Sequence, residues 1–538
     1  MNEQIAPSPA PTLLSVPKLA WDDLNSQFDG LLVLSPGVST GLHEDLDSWL
    51  ETTAELDRSI GKLPRLLIGQ GWPGSRVAHV PLLELNNDYA DVRSVAEAAG
   101  EGAQMLIDAG ASRLLLCLPP LKNVTSKLTW KRYRFAAEVA YAGVCQRIWE
   151  PLEGRRHNQE NTGALSALGI HAPGMMLDTK RATAVEQGRS LARDLAGTEP
   201  EIMAPPGFAD YCQSVFADSP VACSVESDVA KLRVEYPLLA AVARASLPVE
   251  RHHPRVIRLE YKAPQARRTL FLVGKAVTYD TGGADLKVGG KMAGMSRDKG
   301  GGAAAAGFMK AVAELAPSDL NVVTLIGAVR NSIDAEAYVT DEVVTSRSGK
   351  RVRIGNTDAE GRLVMADLLA QAREEAVCAT SPALHTLATL TGHAALALGP
   401  YTALLENGPA FERALGSEIE GSGTLWGDPG QVMRLRREDW QQNKARSSAE
   451  DLVSSPPGPS VTVPRGHQFP AAFLIAVSGL DAHGSDSESP LPFCHLDIAG
   501  SACEGGDWQF GKPTAAPLMA LVGAYLAGGQ MACSDPDE

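Results

Sequence analysis

Cysteine is sparse and unpaired in this 538-residue chain: eight are scattered along it and no two form a CxxC pair. That excludes a disulfide framework and a thiolate zinc site. No apolar run approaches the roughly 20 residues that span a bilayer, so no membrane segment is expected. The opening MNEQIAPSPAPTLL lacks the basic-then-apolar order of a signal peptide and the arginines of a transit peptide, which leaves the cytoplasm as the expected compartment. Positive charge is also short. Lys and Arg number 49 against 64 Asp and Glu, a formal net charge of −15, and phosphate binding needs a cationic surface, so nucleic acid is not expected as a partner. The short basic clusters at Arg132–Arg134 and Arg434–Arg437 read as solvated helix faces. Aromatics make up only 5% of the chain while glycines number 51, a mix suited to helices packed closely on sheets.

The apolar share of 44% and charged share of 21% are those of a soluble globular protein. The length calls for at least two domains. Residues 1–20, rich in Pro, Ser and Ala, are expected to form a flexible arm. Residues 21–170 alternate apolar runs (30–36, 65–70 and 113–120) with helical spacing over 91–110 and 132–149, which predicts a small N-terminal α/β domain. The polar stretch 154–163 and the Gly- and Pro-containing 171–175 mark the boundary. Residues 171–530 are expected to be a larger C-terminal catalytic α/β domain, and 531–538 a frayed tail. In that larger domain RTLFLVG (268–274) reads as a buried strand and GGAAAAGFMKAVAEL (301–315) as a helix. NVVTLIGAV (321–329) follows as a strand, EGRLVMADLLAQAREEA (360–376) as a helix and ALHTLATLTG (383–392) as strand plus loop. The alternation predicts a largely parallel central sheet covered on both faces, with ligands at the carboxyl ends of its strands.

Unusual residues crowd into VGKAVTYDTGGADLK (273–287), MAGMSRDKGGG (292–302) and NTDAEGR (356–362). Lys275 and Asp280 flank the end of a predicted strand and the turn after it. Asp298 precedes three glycines that open a helix. Asp358 and Glu360 stand two residues apart at the start of another helix. Three strand-to-helix turns thus bring carboxylates to one sheet edge. Converging carboxylates repel unless cations neutralise them. Any one of these acids could merely cap a helix, but the whole set at these spacings points to a metal site. Oxygen ligands without Cys or His suit Mg²⁺, Mn²⁺ or a bridged zinc pair. Two metals about 3.5–4 Å apart can share a water and polarise a scissile carbonyl.

The segment from Lys275 to Arg362 resembles the signature region of the leucyl aminopeptidase (cytosol aminopeptidase) family. NTDAEGR stands complete at 356–362, and VGK, Asp280, Lys287 and Asp298 keep the family spacing. The likeness continues more weakly through LATLTG (387–392), HLDIAGSA (495–502) and FGKPT (510–514), about 350 residues in all.

The resemblance implies a metalloenzyme that releases N-terminal residues from short peptides. Asp280 and Glu360 would bridge two divalent cations, Mn²⁺ or Zn²⁺ or else Mg²⁺. Lys275, as a neutral amine, and Asp298 would complete one shell, and Asp358 the other. A neutral Lys275 needs its pKa to fall far below about 10.4. Lys287 would stay charged and stabilise the oxyanion, and Arg362 would hold a bicarbonate ion acting as general base. Met295, Thr389, Leu390, Gly392 and Gln509 would contact substrate. A homohexamer is implied too.

Thr281 replaces the more common Ser and keeps the hydroxyl. Lys299 stands where an apolar residue is usual and is expected to face solvent. Gln509, in place of a pocket Met, puts a preference for leucine in question, since an unpaired amide against an apolar side chain is costly. Asp285, Asp367 and His495 are expected to serve the fold. Two other classes of function compete. A scaffold that kept the fold and lost activity would have altered metal positions, which here are intact. A DNA-binding regulator would be retained on DNA at moderate salt, against the −15 charge.

Overall fold

The computed structural model describes residues 8–121, 131–157, 165–456 and 462–527. It divides into two compact units, one formed by residues 8–187 with 422–428 and the other by residues 188–421 and 429 onward. The division falls inside the helix Thr179–Gly197, later than the expected boundary at 170.

The first unit is built on six strands: β1 (Thr12–Ser15), β2 (Gly30–Ser35), β3 (Arg65–Ile68), β4 (Arg76–Pro81), β5 (Arg113–Cys117) and β6 (Ala167–His171). Their order is β1-β6-β5-β2-β4-β3, parallel except where β3 runs against β4. Leu31 and Val33 of β2 pack with Leu46 and Leu50 of the helix Glu44–Leu56 in one apolar cluster. Two expectations change here. Residues 12–15, assigned to the flexible arm, form an edge strand paired in register with β6, because TLLS buries Leu13 and extends the sheet. β3 is also an edge strand and alternates between half-buried and exposed positions, so it is not a buried one. Residues 1–7 and the expected tail at 531–538 lie outside the described residues.

The second unit carries an eight-stranded sheet and a small three-stranded one. The strands of the unit are β7 (Ala222–Glu226), β8 (Arg255–Tyr261), β9 (Arg268–Asp280), β10 (Leu320–Asn331), β11 (Val343–Thr345), β12 (Arg351–Arg353), β13 (Pro382–Ala388), β14 (Thr402–Glu406), β15 (Gly430–Arg434), β16 (Leu452–Val453) and β17 (Phe493–Asp497). The large sheet has the order β15-β14-β17-β13-β9-β10-β8-β7, and β11-β12-β16 form the small one. Its centre, β17-β13-β9-β10, is parallel, and antiparallel pairs flank it. The parallel-rich α/β fold expected from the alternation is present.

β9 is buried along almost its whole length, as a central parallel strand covered on both faces must be. Val273 and Val277 join Leu325 and Val329 of β10 and Leu363 and Leu368 of the helix Glu360–Ala376 in one core cluster. Each such side chain stabilises the fold by about 1.5–3 kcal/mol. β9 also runs six residues past the expected strand end, through Asp280. Glycine then sets how closely the next helix, Gly300–Leu315, approaches. A Cβ on Gly274 would stand 2.6 Å from Cα of Gly302, so strand and helix meet backbone to backbone. That contact brings the residues just before the helix beside the middle of β9. Among the described residues no helix is long and apolar enough to cross a membrane.

Candidate active site

A cavity of about 310 Å³ is lined by residues of β9, of the loops after β13 and β17, and of the segment 356–362 that follows β12. Lys275 projects from β9 and is buried to 2% exposure. Its Nζ lies 2.7 Å from Asp298 Oδ1 and 2.9 Å from Glu360 Oε1, and donates to the Thr389 carbonyl at 3.1 Å. Asp280 ends β9. Its Oδ1 accepts from the Gly282 amide at 2.9 Å and from Asn331 Nδ2, at the end of β10, at 2.8 Å. Lys287 reaches back from the glycine turn, 2.9 Å from Asp280 Oδ2 and paired also with Asp358. Glu360 is the first residue of its helix, where the positive end of the helix dipole favours an acid.

Oxygens of Asp280, Asp358 and Glu360 lie within 4.8 Å of one another. Buried Asp298 Oδ2 and Glu360 Oε2 have no hydrogen-bond partner among the described residues. A buried acceptor without a donor is costly, and unpartnered oxygens inside a group of four carboxylates and two lysines fit divalent cations. The residues present therefore suit the metals that the chemistry of the donor set implies.

The electrostatics follow from this crowding. Burial pushes Asp298 and Asp280 above the usual carboxylate range. Burial, with Asp280 and Glu360 nearby, pushes Asp358 up to about 7. Glu360 is held low: burial would raise it, but the Lys275 and Lys287 ammonium groups outweigh that. Burial would lower both lysines, but Asp298, Glu360 and Asp280 hold Lys275 high, and Asp280, Glu360 and Asp358 hold Lys287 high. A dication among these carboxylates would cancel the pull that keeps Lys275 protonated.

Arg362, one turn into its helix, is buried and donates from Nη1 to the Ser454 carbonyl at 2.7 Å. Its guanidinium lies 5.0 Å from the Phe469 ring centroid, and its Nε has no partner among the described residues. Burial pulls its pKa down to about 10. A buried guanidinium with a free N–H fits a small anion.

Met295, Thr389, Leu390 and Gly392 line the cavity, and Gln509 does not. Asp507 Oδ1 accepts the amides of Gln509 and Phe510 at 3.0 Å each, and this turn leaves Gln509 exposed. Trp508 takes the wall instead, its indole N–H donating to the Ala499 carbonyl at 3.0 Å. The expectation that a polar amide spoils the pocket for leucine is thereby overturned. Lys299 is corrected too. It is fully buried and donates from Nζ to the carbonyls of Thr198, at 2.8 Å, and Ser296, turned away from the carboxylates because carbonyl oxygens receive its charge.

Asp285 serves the fold, accepting from the Thr357 amide at 2.7 Å and so joining the 282–287 turn to the segment carrying Asp358. Asp367 accepts the Leu238 and Arg347 amides at 2.7 and 2.8 Å. His495 lies on β17, 2.7 Å from the Thr386 hydroxyl. Sequence reasoning missed Asp497. From the end of β17 this buried carboxylate accepts from the Leu390 amide at 3.1 Å, the Thr391 amide at 3.4 Å, the Thr391 hydroxyl at 2.7 Å and the Ala499 amide at 3.1 Å. It thus fixes the loop after β13. Its only signal in the sequence was its place in HLDIAG.

Comparisons with known proteins bear on the family and the fold. The model of the cytosol aminopeptidase family, catalytic domain, matches residues 190–522. The chain is 41% identical over 449 residues to a putative aminopeptidase of Caenorhabditis elegans, covering 82% of this chain and 83% of that protein. It is 30% identical over 504 residues to a probable cytosol aminopeptidase of Leifsonia xyli subsp. xyli, covering 92% and 93%. A solved tomato leucine aminopeptidase mutant shares the fold, with a TM-score of 0.77 at 23% identity over 98% of each chain.

Proposed function

The chain belongs to the cytosol aminopeptidase family, and from that premise we propose that its site removes the N-terminal residue of short peptides using two divalent cations. That it is a metal-dependent aminopeptidase follows from the family. In the finer reading Lys275, Asp280, Asp298, Asp358 and Glu360 would together hold the two cations. The observation that carries it is the convergence of Asp280, Asp358 and Glu360 oxygens within 4.8 Å, beside unpartnered oxygens of Asp298 and Glu360.

When bound, the cations supply Lewis acidity to the scissile carbonyl and a nucleophilic water at neutral pH. Lys287, at the mouth of the cluster, is placed to hold its proton and donate to the oxyanion that develops on the carbonyl. Asn331 and the Gly282 amide orient Asp280, as outer hydrogen bonds orient ligands generally. Arg362 would hold bicarbonate, whose chemistry there is that of a general base. Thr389, Leu390 and Gly392 would position the peptide backbone, with Met295 and Trp508 against the first side chain. Mn²⁺ or Zn²⁺, with Mg²⁺ as a third choice, suits the oxygen-rich set. The family resemblance further supports a cytoplasmic homohexamer acting on short peptides.

Metal stoichiometry tests the ligand assignment. Titration of stripped protein with Mn²⁺ followed by calorimetry should give two equivalents per chain, and Glu360→Gln should bind at most one tightly. Two equivalents bound as tightly in Glu360→Gln as in wild type would contradict its assignment as a ligand.

A further inference from the structure

The cavity has two unlike walls. One is formed by Met295, Ala499 and Trp508, and it is apolar. The other is formed by Arg362, Phe469, Gly466 and His393, and it carries a guanidinium and an imidazole. His393 stands at the start of the short helix Gly392–Leu398, directly after the substrate loop. Its Nε2 is buried and has no hydrogen-bond partner among the described residues.

The position is built. The His393 ring lies against Gly466, where any added Cβ would collide with ring atoms, so only glycine lets the imidazole occupy this place. Three residues on from Gly466, the Phe469 ring supports the Arg362 guanidinium at 5.0 Å. His393 and Arg362 thus share one wall through the segment 466–469. The neighbouring Arg465 is already engaged, with bonds of 2.7 and 2.8 Å to Asp439.

The orientation of a bound peptide follows from the proposed function, on which this inference rests. The amino end is held at the carboxylates. Hydrolysis requires a proton for the departing amine, and the bicarbonate that would relay it is assigned to Arg362, so the departing residue lies toward the Arg362 wall. On that wall the unpartnered His393 nitrogen, as the Nε2–H tautomer, donates to an acceptor-only, anionic group. We propose that His393 selects peptides whose second residue brings a carboxylate to this wall, from an acidic side chain or from the free C-terminus of a dipeptide.

Three substrates sharing one first residue separate the two sources: Leu-Gln-amide has no carboxylate, Leu-Glu-amide carries one on its side chain, and Leu-Gln carries one at its terminus. With Mn²⁺-loaded wild type, kcat/KM for one of the two carboxylate substrates should exceed that for Leu-Gln-amide by about tenfold, mostly through KM. Which one does so identifies the source. His393→Ala and the bulkier His393→Leu should erase that ratio, and His393→Gln, which still donates an N–H, should retain part of it. Equal kcat/KM for all three substrates in wild type, or a ratio unmoved in both apolar variants, overturns the inference while turnover of Leu-Gln-amide leaves the aminopeptidase reading standing. No turnover of any of the three would overturn both.

Discussion

Asp497 holds the loop that carries Thr389, Leu390 and Thr391 by three hydrogen bonds, two from backbone amides and one from a hydroxyl, and also accepts the Ala499 amide. Replacing it by alanine removes the acceptor and leaves buried N–H groups, each costing about 1–3 kcal/mol when unpaired. Relaxation of the loop recovers part of that, so the expected loss of stability is about 3–5 kcal/mol. Asparagine is milder. It keeps one oxygen but turns an NH₂ toward the Thr391 hydroxyl, which already accepts from the Ala394 amide at 3.1 Å, at a cost of about 1–2 kcal/mol. The effect reaches the chemistry because the Thr389 carbonyl receives Lys275 Nζ and the Thr389 hydroxyl donates to Asp298 Oδ1 at 3.0 Å. Asp497→Ala should therefore lose about 100-fold in kcat/KM, equivalent to ~2.7 kcal/mol, and Asp497→Asn about tenfold. Chemical denaturation gives the first quantity and steady-state kinetics on the Mn²⁺-loaded enzyme the second. A folded Asp497→Ala variant with stability and kcat/KM both at wild-type values would refute the reasoning.

Two further outcomes follow from the packing. Gly274→Ala places a methyl against the backbone of Gly302 and should destabilise by about 1–3 kcal/mol through overpacking, seen as a lower melting temperature; an unchanged one would mean that strand and helix do not meet as described. The buried His385, hydrogen-bonded to Tyr525 at 2.7 Å, has its pKa pulled down by burial to about 4. The unfolded chain takes up this proton near pH 6.5 and the folded chain only near 4, so its contribution is complete above about pH 6.5 and lost as pH falls toward 4. Relative to wild type, His385→Gln should flatten the acid side of the stability curve by up to about 1.4 kcal/mol per pH unit. Parallel curves from denaturant midpoints between pH 7.5 and 5 would contradict the burial argument.

The candidate ligands were legible in the sequence because a short segment carries them all. Lys275 to Glu360 spans one crossover of a parallel sheet, from β9 to β10, and such a crossover returns the second turn to the same edge. The alternation of apolar runs with helical spacing likewise gave the α/β class, three strands of the first unit and the central β9, β10 and β13 of the second. What local pattern could not supply was long-range register. Asp497 meets residues 390–391 because β17 and β13 pair side by side, Ala388 opposite Asp497, and nothing in the spacing of 389–392 and 497 announces that. Trp508 and Gln509 differ by one position in a turn, and the Asp507 carboxylate decides which of them faces the cavity. Lys299 misled for a related reason: a lysine is rarely buried, but the carbonyls of Thr198 and Ser296 were there to receive it. TLLS at 12–15 was hidden by the Pro-rich residues around it, and only its pairing with β6 makes it a strand.

Hydrolysis of aminoacyl-amides by metal-stripped protein, with Mn²⁺, Zn²⁺, Mg²⁺ or nothing added back, tests the central claim most directly. Run beside Asp358→Ala, the wild type should release the N-terminal residue only when metal is restored, and the variant should lose that release by about 100-fold or more. A folded wild type with no turnover under any metal, or an Asp358→Ala variant as active as wild type, would contradict the account.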